Sequence, residues 1–221
     1  MEMKETQNKK ILVALIANAL PLVGVLFFHW SLVAILLAYW LENVVIGVFQ
    51  LLKIRRATMN YPVNERNKLV IGPLRGVSPS ERIFYSIFFC VHYGLFLFGH
   101  LVFLRFLGEI RGEVITFSLA LLLTVLPFIV IHRKSYFESY IGEKEYEKIP
   151  LMKLFIGPYR RILVMHITII FGSIPLLFFA RVFPQVGVIL VILKIVLDVI
   201  LKEKEFAFWQ KIENKKDVSL K

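Results

Sequence analysis

Residues 31–53 read SLVAILLAYWLENVVIGVFQLLK, an apolar run of 23 residues with one acidic side chain, Glu42, near its middle. About 20 apolar residues in a helix are enough to cross the hydrocarbon core of a bilayer, so this stretch predicts a transmembrane helix. A charged group at mid-bilayer costs about 2.5–3.5 kcal/mol on insertion scales and therefore normally faces a partner or a cavity. The stretch thus predicts a helix bundle with a polar interior.

Other segments of the chain have the same length and composition. The chain has 221 residues, of which 57% are hydrophobic, and its mean hydropathy is +0.69. The six predicted spans cover approximately residues 11–28, 31–53, 82–104, 114–132, 160–181 and 184–201. We therefore predict an all-α fold, a six-transmembrane-helix bundle, with residues 1–201 as a single integral membrane domain and residues 202–221 as a basic cytoplasmic tail.

The basic residues alternate between the two sides of the predicted bundle. Lys and Arg number three before the first span, seven in residues 53–82, seven in residues 133–161 and six after the last span. The connections between spans one and two, three and four, and five and six hold none, two and one Lys or Arg residue, respectively. Because basic residues mark the cytoplasmic side, we expect a multi-pass protein of the cell membrane with both termini in the cytoplasm and three helical hairpins. The net charge of +11 comes from residues that flank apolar spans, and does not indicate nucleic-acid binding.

Two similar octapeptides precede predicted outward-going helices. They read KLVIGPLR at 68–75 and KLFIGPYR at 153–160. Gly-Pro is expected to break the preceding structure, and Pro158 is suited to the first turn of a helix, where its missing N–H costs nothing. The octapeptides are explained equally well by duplication of a hairpin and by convergence. After the first octapeptide, Ser78-Pro79-Ser80-Glu81 has the pattern of a capping box at a helix start.

The loop at 133–150 predicts an amphipathic helix at the membrane surface. Its aromatic and aliphatic residues recur at helical spacing beside charges, namely Tyr136, Phe137, Tyr140 and Ile141. Basic pairs near the span ends are expected to contact membrane lipids through anionic headgroups on the cytoplasmic side, unless they serve only to set the topology. These pairs are Arg55-Arg56, Arg133-Lys134 and Arg160-Arg161.

Ionisable side chains lie within four of the predicted spans. Glu42 lies in the second span, His92 in the third, His166 in the fifth, and Lys194 and Asp198 in the sixth. Counted along the helices, these side chains fall at similar depths, and Lys194 and Asp198 share a helix face because they are four residues apart. We expect them to form one cluster inside the bundle.

The leading hypothesis for this cluster is a metal-assisted enzyme that acts on a lipid or another membrane-embedded substrate. Glu42, His92, His166 and Asp198 would bind a divalent metal such as zinc, since imidazole and carboxylate are suitable ligands. An open coordination position would make the site catalytic, with Glu42 as ligand or general base and Asp198 as ligand or histidine-orienting carboxylate. Lys194 would act as electrostatic stabiliser. No HExxH or paired-cysteine motif accompanies these residues, so the hypothesis depends on the fold bringing them together.

Two alternatives stay open. A proton-coupled transporter would pair Lys194 with Glu42 or Asp198 and would use histidines that titrate near neutral pH. Six helices are few for a carrier, so this alternative implies a homodimer. In the other alternative the cluster is structural, and its buried polar groups fix the packing of the helices.

Three short motifs resemble a known group of proteins. YWLEN at 39–43, HYGLF at 92–96, and PYRRI at 158–162 followed by MHITIIFG at 165–172 resemble prokaryotic, mainly archaeal and bacterial, polytopic membrane proteins grouped as a domain of unknown function. The resemblance covers residues from about Ile11 to Asp198. It implies an integral membrane protein with Glu42, Asn43, His92 and His166 at motif positions, and it implies no activity.

Overall fold

The structure, a computed structural model, describes residues 31–61, 74–113 and 119–179, together with Ile192, Val196 and Ile200. This part of the chain is mostly helical, as predicted. The helices are α1 (Leu32–Arg56), α2 (Pro79–Arg111), α3 (Leu119–Lys134) and α4 (Leu151–Phe179). They overlap the second to fifth predicted spans. The predicted first span, most of the sixth, and the basic tail lie outside the described residues.

Two of the described helices, covering Val33–Arg56 and Pro79–Arg111, are long and apolar enough to cross a membrane. The α2 helix also presents a nearly continuous apolar face to its surroundings. This face includes Ile83, Phe84, Ile87, Phe88, Val91, Leu95, Phe98, Val102 and Phe106. A soluble monomer rarely exposes so large a contiguous apolar surface.

The α1 helix is central and packs against α2, α3 and α4. Its residues from Ile35 to Tyr39 are buried without interruption. A helix that is buried on every side is surrounded by other elements, whereas a surface helix buries only one stripe. Within the described residues, the consecutive helices α2 and α3 pack mainly on α1 and not on each other.

The α1 helix lies close to α2 at Gly47. A Cβ atom at this position would come within 2.5 Å of the Tyr93 ring. The absence of a side chain lets the ring of Tyr93 lie against the backbone of α1, where its hydroxyl donates a hydrogen bond to the Asn43 carbonyl at 2.9 Å. About one turn before Asn43 in α1 and one turn after Tyr93 in α2, the Trp40 indole donates to the Leu97 carbonyl at 2.8 Å. These two bonds set the register of α1 on α2.

Asn60 joins the starts of two helices at one end of the bundle. It lies in β1 (Met59–Asn60), which pairs antiparallel with β2 (Arg75–Gly76). Its Nδ2 donates to Glu81 in the first turn of α2, and its Oδ1 accepts from the Met152 N–H in the first turn of α4. The side chain is almost completely buried. Asn60 therefore fastens α2 to α4 near their first residues.

The predicted helix start at Ser78 is confirmed. Ser78 is the N-cap of α2, with Pro79 at the first helical position, and its hydroxyl accepts from the Glu81 N–H at 3.1 Å. The Glu81 carboxylate differs from a capping box, because it binds the Arg75 guanidinium through two hydrogen bonds of 2.8 and 2.9 Å. The charged hydrogen bond to Glu81 raises the pKa of Arg75.

The loop between α3 and α4 is helical where an amphipathic helix was predicted, but it is wound as a π-helix over Ser135–Gly142. A short 3-10 turn, Glu145–Glu147, follows it. Tyr140 is buried and donates to the Lys53 carbonyl at the end of α1 at 2.8 Å. Burial raises the pKa of Tyr140, so the phenol stays protonated and keeps this donor.

The helix start predicted at Gly157-Pro158 is wrong. The α4 helix begins at Leu151 and runs through Pro158 without ending. Proline has no N–H, so the carbonyl four residues earlier, that of Leu154, loses its helical donor. The Gln50 amide of α1 supplies the missing donor, with Nε2 at 2.5 Å from that carbonyl oxygen. Most of the first octapeptide lies outside the described residues, so the equivalence of the two copies stays a prediction.

We expect Gly47→Ala to lower the free energy of unfolding by about 1–3 kcal/mol, because the added methyl group must displace Tyr93. Gly94→Ala is the matched control in the neighbouring helix, where an added Cβ meets nothing within 4 Å. The control should leave stability unchanged or raise it by about 1 kcal/mol through helix propensity. Thermal unfolding in detergent, followed by circular dichroism, measures both. Equal effects of the two substitutions would contradict the close approach at Gly47.

Candidate functional site

Glu42 forms an ion pair between α1 and α4. Its side chain is almost fully buried, and its Oε1 accepts a hydrogen bond from Arg161 Nη1 at 3.2 Å. Arg161 remains partly exposed. The sequence assigned Arg161, within the pair Arg160-Arg161, to lipid headgroups or to topology. Its guanidinium contacts the acidic side chain at the centre of α1, and contact with headgroups stays a prediction.

Asn43 extends the same contact region between α1, α2 and α4. Its Nδ2 donates to the Tyr39 carbonyl at 2.9 Å and lies 3.4 Å from the sulfur of Met165. Its backbone carbonyl accepts from Tyr93. The Oδ1 atom is buried and has no hydrogen-bond partner within the described part of the chain. The YWLEN segment thus holds three helices together through its polar groups.

His92 lies among aromatic rings between α2 and α4. Its Nδ1 is 3.0 Å from the Tyr159 hydroxyl. The ring stacks on Phe88 at a centroid distance of 5.4 Å and meets Phe96 edge-on at 5.1 Å. Tyr159 belongs to the second octapeptide, so part of that motif contacts the predicted site.

A pair of histidines, one on α2 and one on α4, lies about two turns beyond His92. His100 is 5% exposed, and its Nε2 is 2.8 Å from Nδ1 of His166 on α4. The other ring nitrogen of His100, Nδ1, is 2.7 Å from the Phe96 carbonyl oxygen. The two rings are nearly perpendicular, with an interplanar angle of 86°. His166 itself is exposed.

An open cavity of about 450 Å³ lies beside the histidine pair. Its volume is within the range of small-molecule sites in proteins. The walls are aromatic, aliphatic and glycine residues except for three histidines, and the lining consists of His92, Leu95, Phe96, Gly99, His100, Phe103 and His166. We call this space the histidine cavity. Its chemistry is that of an apolar chamber with imidazole nitrogens in the wall.

The structure distributes the predicted site residues over separate contacts. Glu42 meets Arg161, His92 meets Tyr159, and His166 meets His100. No group of three or more His, Cys, Asp or Glu side chains that could hold a metal ion occurs among the residues the structure describes. Three of the four predicted metal ligands therefore do not form such a group with one another. The fourth ligand, Asp198, and the predicted stabiliser, Lys194, lie outside these residues, so their part in a site stays a prediction.

Sequence reasoning omitted His100, Tyr159 and Arg161 from the site. The spacing of His92 and His100 carried a usable signal, because residues eight apart lie near one helix face. Arg161 had no comparable signal, since a basic residue at a span end normally marks topology.

Comparison with known proteins gives one family. Residues 1–218 match the model of a family described as "Family of unknown function (DUF6498)". No curated protein and no solved structure matches the chain.

We expect Arg161→Leu to destabilise the protein more than Glu42→Leu. The first substitution removes this cation from a nearly fully buried carboxylate, whereas the second leaves a guanidinium that is already partly exposed. Losses of about 1–3 kcal/mol for Arg161→Leu and less for Glu42→Leu are expected, with the double variant more stable than the sum of the single effects. Denaturant or thermal unfolding in detergent measures the free energy of unfolding of the unsubstituted protein, the two single variants and the double variant.

Arg105→Leu is the matched control, because Arg105 forms an exposed pair with Glu109. Exposed pairs contribute little, so this variant should unfold like the unsubstituted protein. Strictly additive effects of Glu42→Leu and Arg161→Leu would show that the two side chains do not depend on each other.

Proposed function

The chain belongs to the DUF6498 family, whose function is unknown, and we propose that it is a multi-pass membrane protein that binds a membrane-embedded, lipid-like substrate in the histidine cavity. The single observation that carries the proposal is the combination of an apolar chamber with a histidine pair in its wall. An apolar lining with few polar groups suits a ligand with a long hydrocarbon part and one polar end.

The membrane part of the proposal is supported by the helices themselves. Both α1 and α2 are long enough to span a bilayer, and the apolar face of α2 suits contact with acyl chains. We propose six spans with both termini in the cytoplasm, because the alternation of basic residues is consistent along the whole chain. In this arrangement the histidine cavity lies within the bilayer, where an apolar substrate is already concentrated.

The contacts of Glu42 favour a packing role for this side chain. A carboxylate that is paired with Arg161 between two helices is suited to holding α1 against α4, and the role of Glu42 as base or ligand stays a prediction. The chemical groups of the proposed site are the histidines at the cavity wall. In an enzyme with this architecture, the pair His100–His166 would act as its acid–base group on the polar end of the substrate.

The proposed topology predicts the labelling of two single-cysteine proteins. In a Cys90→Ser background, Glu109→Cys should react with a membrane-impermeant maleimide on intact cells, because residue 109 lies on the outer side in this topology. Lys144→Cys should react only after the cells are opened. Both positions are exposed. The reverse pattern, or labelling of both positions on intact cells, would overturn the orientation.

The proposed site predicts that filling the cavity abolishes ligand binding. Gly99 lines the cavity, and a Cβ at this position would meet nothing within 4 Å. Gly99→Leu should therefore extend into the open space without a clash. Crosslinking of photoreactive dodecanol to the cavity peptides, quantified by mass spectrometry, should fall about tenfold or more, which corresponds to about 1.4 kcal/mol or more.

Gly94→Leu is the matched control, because Gly94 has the same open surroundings on the same helix and does not line the cavity. This variant should keep the crosslinking of the unsubstituted protein. Equal crosslinking of Gly99→Leu and Gly94→Leu would mean that the probe does not occupy the histidine cavity, and the proposed function would fail.

A further inference from the structure

We infer that His166 presents an unprotonated Nε2 to the histidine cavity, and that the polar end of the ligand is a hydrogen-bond donor such as a hydroxyl group or a protonated acid. The ligand part of this inference rests on the proposed function. The state of His166 itself does not, because it follows from the hydrogen bonds of the ligand-free protein.

The first step is the contact between His100 and the backbone. A carbonyl oxygen can only accept a hydrogen bond, so His100 Nδ1, at 2.7 Å from the Phe96 oxygen, must carry a proton. A neutral imidazole has only one N–H. In neutral His100 the second nitrogen, Nε2, is therefore an acceptor.

The second step is the contact between the two histidines. Since His100 Nε2 accepts, the nitrogen 2.8 Å away, His166 Nδ1, must be the donor. In neutral His166 the proton then lies on Nδ1, and Nε2 keeps its lone pair. The Phe96 carbonyl thus determines, through two rings, which nitrogen of His166 is free to accept. A doubly protonated His100 would reverse this order, but it would place a cation at a residue that is 5% exposed.

The third step is the position of His166 at the cavity wall. His166 lines the cavity and is exposed, whereas its partner His100 is buried. The remaining histidine in the wall, His92, already meets the Tyr159 hydroxyl. Among the residues that the structure describes, no side chain forms a hydrogen bond with Nε2 of His166. Because a hydroxyl can donate or accept, the Tyr159 contact does not fix the state of His92. His166 Nε2 is therefore the wall nitrogen whose acceptor state is determined by the described hydrogen bonds.

The ligand class follows from the unprotonated state of His166 Nε2, which can only accept a hydrogen bond. A hydroxyl group or the acid form of a carboxylic acid can donate to Nε2, and the cavity walls suit the attached hydrocarbon chain. An ether or an ester of equal length has no proton to donate and leaves the imidazole without a partner. A hydrogen bond in such a site contributes modestly, so we expect about a 3- to 10-fold preference for the donor.

The state of the histidines is tested on the full-length protein in detergent, without ligand, with ¹⁵N-labelled histidine and side-chain nitrogen shifts at mildly alkaline pH. The signals are assigned by single substitutions. We expect Nδ1–H and an unprotonated Nε2 for both His100 and His166. A proton on Nε2 of either ring would overturn the inference, whatever the ligand experiments give.

Two variants make the test specific. His100→Phe removes the acceptor, so His166 should lose its fixed state and show protonation at Nε2 as well. His92→Phe removes a histidine from the same cavity that has no part in the two hydrogen bonds, and should leave the His166 signals unchanged. An unchanged His166 in the His100→Phe protein would also overturn the inference.

The ligand class is tested by competition against the photoreactive dodecanol with unlabelled dodecanol and dodecyl methyl ether. The alcohol should compete about 3- to 10-fold better than the ether, and His166→Phe should remove the difference. Equal competition in the unsubstituted protein, or a preference that persists in His166→Phe, would overturn the ligand class. Neither result would change the nitrogen shifts, so failure of the ligand part is distinguishable from failure of the histidine assignment.

Discussion

The packing of this bundle depends on one constraint, namely that a buried polar group is stabilised by a hydrogen-bond partner, which for several groups here lies on a neighbouring helix. Gln50 donates to the carbonyl that Pro158 leaves without a helical donor. Trp40 and Tyr93 each donate to a backbone carbonyl of the opposite helix. Each of these bonds is specific in position, whereas apolar contacts alone would let the helices slide or rotate. The location of the histidine cavity between α2 and α4 follows from the register that these bonds impose.

The helices were predictable from the sequence because length and hydropathy act within one segment. The run at 31–53 corresponds to α1, and the capping residues Ser78 and Pro79 mark the start of α2. The start of α4 was not predictable by the same rule. Pro158 is a strong helix breaker in isolation, and in this helix the Gln50 amide of α1 supplies the donor that the Leu154 carbonyl lacks. Local rules failed where a long-range hydrogen bond compensates for a local defect.

The site was predictable as a set of residue types and not as a set of contacts. Counting residues along helices gives depth, but the partner of each side chain also depends on the rotation of each helix about its axis. His92 and His166 lie at the interface of α2 and α4, as a shared interior site requires, yet each meets a different side chain. Glu42 faces α4 at Arg161, which sequence reasoning placed at the membrane surface. Rotation and interhelical pairing decided these outcomes, and neither can be obtained from one sequence by periodicity.

Asn60 holds α2 and α4 together at one end, and the two helices extend from there in the same direction. The histidine cavity lies further along the same two helices. At a rise of about 1.5 Å per residue, His92 is roughly 17 Å and His100 roughly 29 Å beyond Glu81. A small change in the angle between α2 and α4 would therefore move the two sides of the His100–His166 contact nearly twice as far as those of the His92–Tyr159 contact. The width of the histidine cavity is therefore sensitive to the angle between α2 and α4.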